Sequence, residues 1–382
     1  MSPELVVLSH LRWTFVWQRP QQLVSRLSAG YDRTWFVEEP VTVAGTPEPV
    51  VRFEDHEHVT RVWLEMASEA DGFDDQVCGR YARELGALLG PPDERTVWMY
   101  TPMALGLARA LHPSLFVYDV MDDLAAFHLA DPALVLRQRQ ALREADVVFT
   151  GGRSLHRSVV ERRPEASHCF PSGVAPDHYE PAIDARRARG GAPRPVAGYV
   201  GVIDERLDLD LIAGLCRKLP DWDIHMVGPV VKVDPAGLPQ APNLAYLGPR
   251  AYEELPGAMA GFDVALMPFA LNEATRSISP TKTLEYLAAG LPVVSTKVPD
   301  VVADHADVVE LADDVVGFAQ ACRLALHGRG EGWSEQVAAV LDHHQWDGIT
   351  ERMSAMLRLA GGATIDLTDS TGTGSTGRIK SA

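Results

Sequence analysis

The sequence predicts an α/β protein built from two parallel-sheet domains that face each other across a cleft, and three observations lead to this fold class. Short apolar runs alternate with amphipathic helical segments, which is the βαβα order of a parallel sheet covered on both faces. This order occurs twice, and a stretch rich in Arg, Gly, Pro and Ala separates the two series. A chain of 382 residues that is 46% hydrophobic can also build two cores of ordinary domain size.

The first series defines a predicted domain over residues 1–180. It opens with a buried strand, ELVVLSH, a helix, RPQQLVSRLSAG, and a returning strand, RTWFVEEP. Strands TVWMYTP, LFVYDV and ADVVFTGG follow, and they alternate with helical segments such as PALVLRQRQALREA and SLHRSVVERR. The carboxyl ends of these strands are expected to face the cleft, where loops on such scaffolds carry function.

The second series begins after a predicted linker over residues 181–195 and defines a domain over residues 196–345. Its predicted strands are VAGYVG, DIHMVGP, NLAYLG, DVALMPF and PVVST, and its helices include LDLDLIAGLCRKLP and AYEELPGAMAGF. The tail over residues 361–382 is rich in Gly, Ser and Thr with few large apolar residues, so we predict that it is disordered.

Composition narrows the possible partners. The formal charge of −17 is spread over both halves of the chain, so nucleic acid is not an expected partner. The four cysteines are far apart and form no CxxC pair, which argues against a zinc site or a disulfide framework. The first residues do not read as a signal peptide, and no apolar run approaches about 18 residues. We therefore expect a cytoplasmic location, with contact to the inner face of a membrane left open.

The stretch SISPTKTLEYLAAGLPVVST, residues 277–296, gives the strongest functional signal. Ser279 is the predicted N-cap and Pro280 the first helical residue, and the helix ends at Gly290 before a buried strand. Lys282 and Glu285 then lie near the mouth of the helix, whose N-terminus favours phosphate, while a carboxylate accepts hydrogen bonds from sugar hydroxyls. The alternative is an ordinary surface ion pair three residues apart, which would contribute little.

The loop after the first strand, SHLRWTFVWQRPQQL, is unusually aromatic and basic. His10 and Arg12 follow the strand at the edge that faces the cleft, so we predict a functional role for both. Trp13 and Trp17 are explained more simply as apolar packing on the helix of their own domain.

Two parts of the sequence resemble a known family. The run TLEYLAAGLPVVST, preceded by NLAYLGPRAYEELPGAMAGFDVALMPF and followed by HQWDGITERMSAML, resembles the carboxyl half of GT-B glycosyltransferases, close to the retaining family 4 enzymes. The opening loop, with WFVEEP after it, is similar to a bacterial subgroup of cell-surface polysaccharide synthesis. The resemblance implies two Rossmann-like domains, with a helix over residues 346–360 that returns to the first domain.

The same resemblance implies an activity. A GT-B enzyme of this kind moves a sugar from a nucleoside diphosphate, most often UDP, to a hydroxyl of a saccharide or lipid-linked acceptor. It needs no cofactor, because cations and a helix end stabilise the departing diphosphate. We therefore do not expect the aspartates of the segment VYDVMDDL to bind a metal ion. Asp119 or Asp122 is instead placed to orient an acceptor hydroxyl. The predicted catalytic residues are His10, Arg12 and Asp119.

The resemblance also places the substrate-binding residues. Glu285 corresponds to the glutamate that binds the ribose hydroxyls, and Lys282 and Arg206 would hold the diphosphate, with Thr281 in the same helical turn. Ser277 stands where the family usually has a second glutamate that contacts the donor sugar, and Glu273 is a substitute from the same loop. The nucleobase pocket is expected from Gly248 to Tyr252, including Arg250, and the alternative for this segment is a plain strand-to-helix turn with Pro249.

Two rival functions stay open at the level of sequence. A sugar-nucleotide epimerase of the same fold would use His10, His178 and the aspartates near Asp119 as acids and bases. A non-catalytic sugar-nucleotide-binding module would explain why Ser277 replaces the usual glutamate.

Overall fold

The computed structural model describes residues 3–46, 48–67, 72–91, 94–124, 132–190, 193–278, 281–328 and 330–361. The predicted helix start at Ser279 and Pro280 and the predicted disorder of residues 362–382 lie outside these ranges.

The first sheet is parallel except for one strand. Its strands run in the order β3-β5-β2-β1-β6-β7-β8-β9, and β4 adds to β5 as the one antiparallel strand described. The bounds are β1 Glu4–Ser9, β2 Arg33–Glu38, β3 Val41–Thr42, β4 Val50–His56, β5 Val59–Met66, β6 Arg95–Met99, β7 Leu115–Val120, β8 Val147–Thr150 and β9 Ser167–Cys169. The central strands β1, β6, β7 and β8 are buried along their whole length, as continuous apolar runs predict.

Helices cover both faces of this sheet and create two cores. They are α1 Arg19–Leu27, α2 Asp75–Gly86, α3 Leu105–Ala110, α4 Pro132–Glu144 and α5 Arg153–Val160. Alternate residues of β1 point into the two cores, because successive side chains of a strand face opposite sides: Val6 and Leu8 join one core, and Leu5 and Val7 join the other.

The second sheet is parallel throughout its described strands, which run in the order β12-β11-β10-β13-β14-β15. The bounds are β10 Val196–Val200, β11 Asp223–Val227, β12 Leu244–Tyr246, β13 Val264–Met267, β14 Val293–Thr296 and β15 Glu310–Ala312. The strand order reverses between β10 and β13, and in open α/β sheets this is where ligands bind. The helices are α6 Pro176–Arg189, α7 Leu209–Lys218, α8 Leu255–Ala260, α9 Thr281–Ala288, α10 Pro299–His305, α11 Val315–Leu326, α12 Trp333–His343 and α13 Trp346–Ala360.

The prediction that residues 181–195 form a linker is wrong for most of that range, because α6 continues to Arg189. The helix packs against α8 and α9 of the second domain. Arg186 donates hydrogen bonds from one Nη atom to the carbonyl oxygens of Ala289 (2.7 Å) and Gly290 (2.9 Å), just beyond the end of α9. The many arginines of this segment therefore belong to a packed helix, and the exact domain boundaries stay a prediction.

Helix α13 lies against the first domain, over the residues for which a returning helix is predicted. Trp346, Ile349, Met353 and Leu357 join the core that contains Leu23 of α1. A parallel bridge between Val174 and Gln345 leads the chain into this helix. The chain thus crosses between the domains twice within its described residues.

Candidate functional site

A cavity of about 200 Å³ lies between the carboxyl ends of the two sheets. The loops after β1, β7 and β9 line it from the first domain, and the segments after β10, β11, β12 and β13 line it from the second, together with α9. The site therefore lies where the parallel-sheet prediction expects a ligand.

Glycines bring the ends of β10 and β11 close together at the floor of the cavity. Gly201 and Gly228 both have positive φ, 154° and 148°. A Cβ atom on Gly228 would lie 1.8 Å from the carbonyl oxygen of Gly201, so only glycine fits there. The N–H of Gly228 donates to the carbonyl oxygen of Gly248 at 2.9 Å, which holds the predicted nucleobase loop beside this floor. Gly248 itself does not line the cavity.

Helix α9 presents its first turn to the cavity, through Thr281, Lys282 and Glu285. Lys282 Nζ lies 2.6 Å from a carboxylate oxygen of Glu285, so the ion pair that the sequence left as an alternative is present. The Glu285 side chain is only 8% exposed and that of Lys282 is 23% exposed, so this pair is more shielded from water than a typical surface pair. The hydroxyl of Tyr286 accepts a hydrogen bond from the N–H of Val200 at 2.7 Å, which fixes the helix against β10.

Two further cations line the cavity from the second domain. Arg206 is held by Asp204, with 2.7 Å between Nη2 and a carboxylate oxygen, and the Asp204 side chain is mostly buried. Arg250 lines the same cavity and is exposed. Lys282, Arg206 and Arg250 together make this side of the cavity suitable for an anion.

Three rings form a column at the cavity wall, which we call the aromatic column: Trp17, Tyr252 and His178. The rings of Tyr252 and His178 are stacked with centroids 3.9 Å apart and planes at 2°, and Trp17 stacks on Tyr252 at 5.9 Å. Gln22 of α1 donates a hydrogen bond to the Tyr252 hydroxyl at 3.0 Å. Trp13 packs within its own domain against Phe36, and Trp17 packs there against Trp13, as expected. The ring of Trp17 also contacts Tyr252 of the second domain.

The predicted catalytic residues lie outside the cavity lining. His10 is half-buried, its Nδ1 has no hydrogen-bond partner among the described residues, and burial and the charge of Lys232 lower its pKa to about 4. Arg12 pairs with Glu38 at 3.3 Å and donates to the carbonyl oxygens of Glu39 and Pro40. These contacts favour a structural role for Arg12, as an anchor of the loop to the end of β2.

Asp119 is fully buried and accepts hydrogen bonds from Nε and Nη2 of Arg19, both at 3.0 Å. Arg19 also donates to the carbonyl oxygen of Phe170 at 2.7 Å. With its carboxylate engaged in this way, Asp119 supports the base of the cleft, and this geometry does not favour the catalytic role predicted for it. Asp122, two residues beyond β7, lines the cavity instead.

The residues expected to replace the second family glutamate do not line the cavity either. Glu273 is exposed and pairs with Arg276 at 3.3 Å on the surface. Ser277 is half-buried in the loop before α9. Of the predicted substrate-binding residues, the ones that line the cavity are Thr281, Lys282, Glu285, Arg206, Arg250 and Tyr252, and their roles stay predictions.

Sequence reasoning missed several lining residues, including Phe15, Gln18 and Arg19. Their only local signal was the aromatic and basic character of the loop after β1.

The described residues contain no group of three or more His, Cys, Asp or Glu side chains that could hold a metal ion. Among the same residues, none of the helices is long and apolar enough to span a membrane.

Comparisons with known proteins agree with this architecture. A family profile described as Glycosyl transferases group 1 matches residues 194–327, which is most of the second domain. The curated relative "Putative teichuronic acid biosynthesis glycosyltransferase TuaH" from Bacillus subtilis is 28% identical over 202 residues, or 50% of this chain and 51% of the relative. The match therefore spans about half the length of that relative.

Solved structures match over nearly the whole chain. Sucrose-phosphate synthase from Thermosynechococcus elongatus superposes with a TM-score of 0.72 at 16% identity, covering 95% of this chain and 100% of that one. An α,α-trehalose-phosphate synthase from Burkholderia xenovorans, in complex with glucose-6-phosphate, gives 0.68 at 12% identity, covering 93% and 100%. A structure described as "Trehalose-6-phosphate from E. coli bound with UDP-2-fluoro glucose" superposes with a TM-score of 0.68 at 13% identity, covering 93% of this chain and 99% of that one.

These matches define the class of protein: the fold is GT-B, two Rossmann-like domains facing across a cleft, as the sequence predicted. Within that class, residues 194–327 match the Glycosyl transferases group 1 profile, which agrees with the resemblance seen in the sequence.

Proposed function

We propose that the protein is a glycosyltransferase that moves a sugar from a nucleoside-diphosphate donor, a UDP-sugar, to a hydroxyl acceptor in the cleft. The observation that supports this most directly is the convergence of Lys282, Arg206 and Arg250 on one interdomain cavity, beside the first turn of α9. A group 1 glycosyltransferase domain supplies this whole side of the cavity.

In this proposal the second domain binds the donor. Lys282 and Arg206 hold the diphosphate, with Arg250 near the mouth, because preorganised cations stabilise the charge that develops on a departing diphosphate. Glu285 accepts hydrogen bonds from the ribose hydroxyls, and its ion pair with Lys282 holds the carboxylate in place at the cavity. Tyr252 and the loop after Gly248 lie beside the nucleobase.

The proposed transfer is metal-independent, uses no cofactor and retains the configuration of the anomeric carbon. Retention needs no carboxylate nucleophile if the acceptor attacks from the face that the diphosphate leaves, and the diphosphate then takes the acceptor proton. We expect transfer to survive EDTA, because the charges proposed for the diphosphate are side chains and a helix end. Loss of transfer in EDTA with recovery in Mn²⁺ or Mg²⁺ would contradict this.

The proposed biological role is the synthesis of a cell-surface polysaccharide or glycoconjugate. The relative named for teichuronic acid biosynthesis supports this role. The acceptor would be a saccharide or a lipid-linked saccharide, reached from the cytoplasm with peripheral contact to the inner face of the membrane.

Incubation with radiolabelled UDP-sugars tests the proposal against its two rivals. A transferase gives transferred or slowly hydrolysed sugar, an epimerase gives an epimerised donor, and a binding module gives neither. Thermal unfolding with UDP-sugars and GDP-sugars identifies the donor, because a ligand present at 100 times its Kd stabilises the folded state by about 2.7 kcal/mol. Absence of any nucleotide-dependent shift would reject a donor site.

A further inference from the structure

Three carboxylates follow the chain out of β7, and the structure gives them different environments. The carboxylate of Asp119 is engaged in its ion pair with Arg19. Asp122 lines the interdomain cavity and has no hydrogen bond or ion pair with any other described residue. Asp123 does not line the cavity. Asp122 is therefore the carboxylate of this segment that is available to a ligand.

We propose that Asp122 binds the attacking hydroxyl group of the acceptor, and this inference rests on the proposed transferase function. A carboxylate can only accept hydrogen bonds when ionised, so its natural ligand is a hydroxyl donor rather than a phosphate. The class of ligand is thus a neutral hydroxyl compound whose reacting oxygen sits on the first-domain side of the cavity.

The distribution of charge supports this division of the cavity. Lys282, Arg206 and Arg250 belong to the second domain, whereas Asp122 belongs to the first, where the one lining cation among the described residues, Arg19, is paired with Asp119. A diphosphate is attracted to the three cations and repelled by Asp122. A hydroxyl group bound to Asp122 is thereby held in the same cavity as the donor, and such positioning contributes strongly to the rate of a two-substrate reaction.

The neighbours of Asp122 keep it ionised at neutral pH despite its burial. Desolvation raises its pKa to about 6; the charges of Arg206 and Arg19 lower the pKa, while those of Asp204 and Asp123 raise it. Glu285 lines the same cavity but is paired with Lys282. Asp122 is therefore a carboxylate above pH 6, and it loses its capacity to accept this hydrogen bond as the pH falls below that value.

In the transfer step, Asp122 orients the acceptor and its own protonation state does not change. The acceptor oxygen forms a bond to the anomeric carbon, and the bond from that carbon to the β-phosphate oxygen breaks, leaving its electron pair on UDP. The single hydroxyl proton points to Asp122 in the bound acceptor; as the new bond to the anomeric carbon forms, it turns to the departing β-phosphate oxygen, whose negative charge is growing, and is transferred to it. The ionised carboxylate fixes the direction of the hydroxyl and raises the electron density on the attacking oxygen.

The test compares Asp122→Asn and Asp122→Ala with Asp123→Asn, which makes the same chemical change one residue away and outside the cavity. The probes are a UDP-sugar that shifts the melting temperature of the wild type, water as the smallest acceptor and concentrated glycerol as a simple alcohol. Loss of a hydrogen bond to a charged group predicts a fall of about 10- to 100-fold in donor hydrolysis and glycerol transfer for Asp122→Ala. UDP binding should be unchanged or tighter, because the substitution removes a negative charge from the cavity, and Asp123→Asn should resemble wild type.

A pH profile separates acceptor binding from a structural role. Wild-type kcat/KM should decrease as the pH falls below about 6, and Asp122→Asn should lose this dependence while keeping a part of the activity, because its amide oxygen still accepts a hydrogen bond. Equal turnover in Asp122→Ala and wild type, or weakened UDP binding in Asp122→Ala, would overturn the inference. Failure of the wild type to bind any nucleotide sugar would instead reject the proposed function.

Discussion

Arg19 and Asp119 form a buried ion pair beneath the cleft, with side chains that are 3% and 0% exposed. Removing one member of such a pair leaves the other charge buried without a partner, which typically costs 3–5 kcal/mol. We expect Asp119→Ala to lower the free energy of unfolding by about that amount, measured by urea denaturation. The double variant Arg19→Met with Asp119→Ala should be more stable than Asp119→Ala alone. A stable Asp119→Ala protein that has lost only turnover would restore the catalytic role predicted from sequence.

We expect Asp122 to lower the free energy of unfolding at neutral pH, because its ionised carboxylate is shielded from water in the cavity. Its pKa is about 6 in the folded protein against an ordinary value of 3.8, so the folded state keeps its proton to higher pH than the unfolded state does. The contribution of Asp122 to the free energy of unfolding is therefore highest below pH 3.8, and it decreases as the pH rises to about 6. Asp122→Asn should therefore be more stable than wild type at pH 7.5, by at most about 3 kcal/mol, and no more stable at pH 3.5. Equal melting temperatures at both pH values would contradict this.

At the scale of single elements, α9 combines packing with binding in one turn. Lys282→Ala leaves the buried carboxylate of Glu285 unpaired, and Glu285→Ala leaves the ammonium group with no counterion. We expect each single variant to weaken UDP binding by about 10- to 100-fold, because each removes a charged hydrogen-bonding group from the site. In unfolding experiments, the double variant should lose less stability than the sum of the singles, which a double-mutant cycle measures. Unchanged UDP affinity in the double variant would place the donor elsewhere.

Local periodicity was sufficient to predict most elements, and contacts distant in sequence explain the failures. The apolar runs of β1 and β10 follow from neighbouring residues alone, and so does the end of α9 two residues before Gly290, where φ is +67°. Helix α6 was not predicted, because its exposed arginines resemble those of a linker. Its stability depends in part on the contact of Arg186 with carbonyl groups more than 100 residues away. The partner of Asp119 is likewise 100 residues distant, so no local pattern reveals it.

The two domains contact each other at separate places. At one, Gln22 of α1 reaches Tyr252, where the aromatic column spans the cleft. At another, Asp300 of α10 accepts hydrogen bonds from the backbone N–H and the hydroxyl of Ser154 on α5, at 3.1 and 2.5 Å. Few groups make these contacts, so closure of the cleft around a donor can be adjusted by single residues.

The aromatic column should control how tightly the whole molecule closes. Tyr252→Ala removes the stacking with Trp17 and His178 and the hydrogen bond to Gln22, whereas Tyr252→Phe removes only the hydrogen bond. We expect the radius of gyration from solution scattering to increase in Tyr252→Ala and to change little in Tyr252→Phe. Because a more open cleft must close before it can exclude water, the affinity for a UDP-sugar should fall in the same order. Phe53→Ala, an exposed aromatic on β4 away from the cavity, is the control. Wild-type dimensions and wild-type donor affinity in Tyr252→Ala would show that the contacts at Asp300 and along α13 are sufficient to hold the cleft closed.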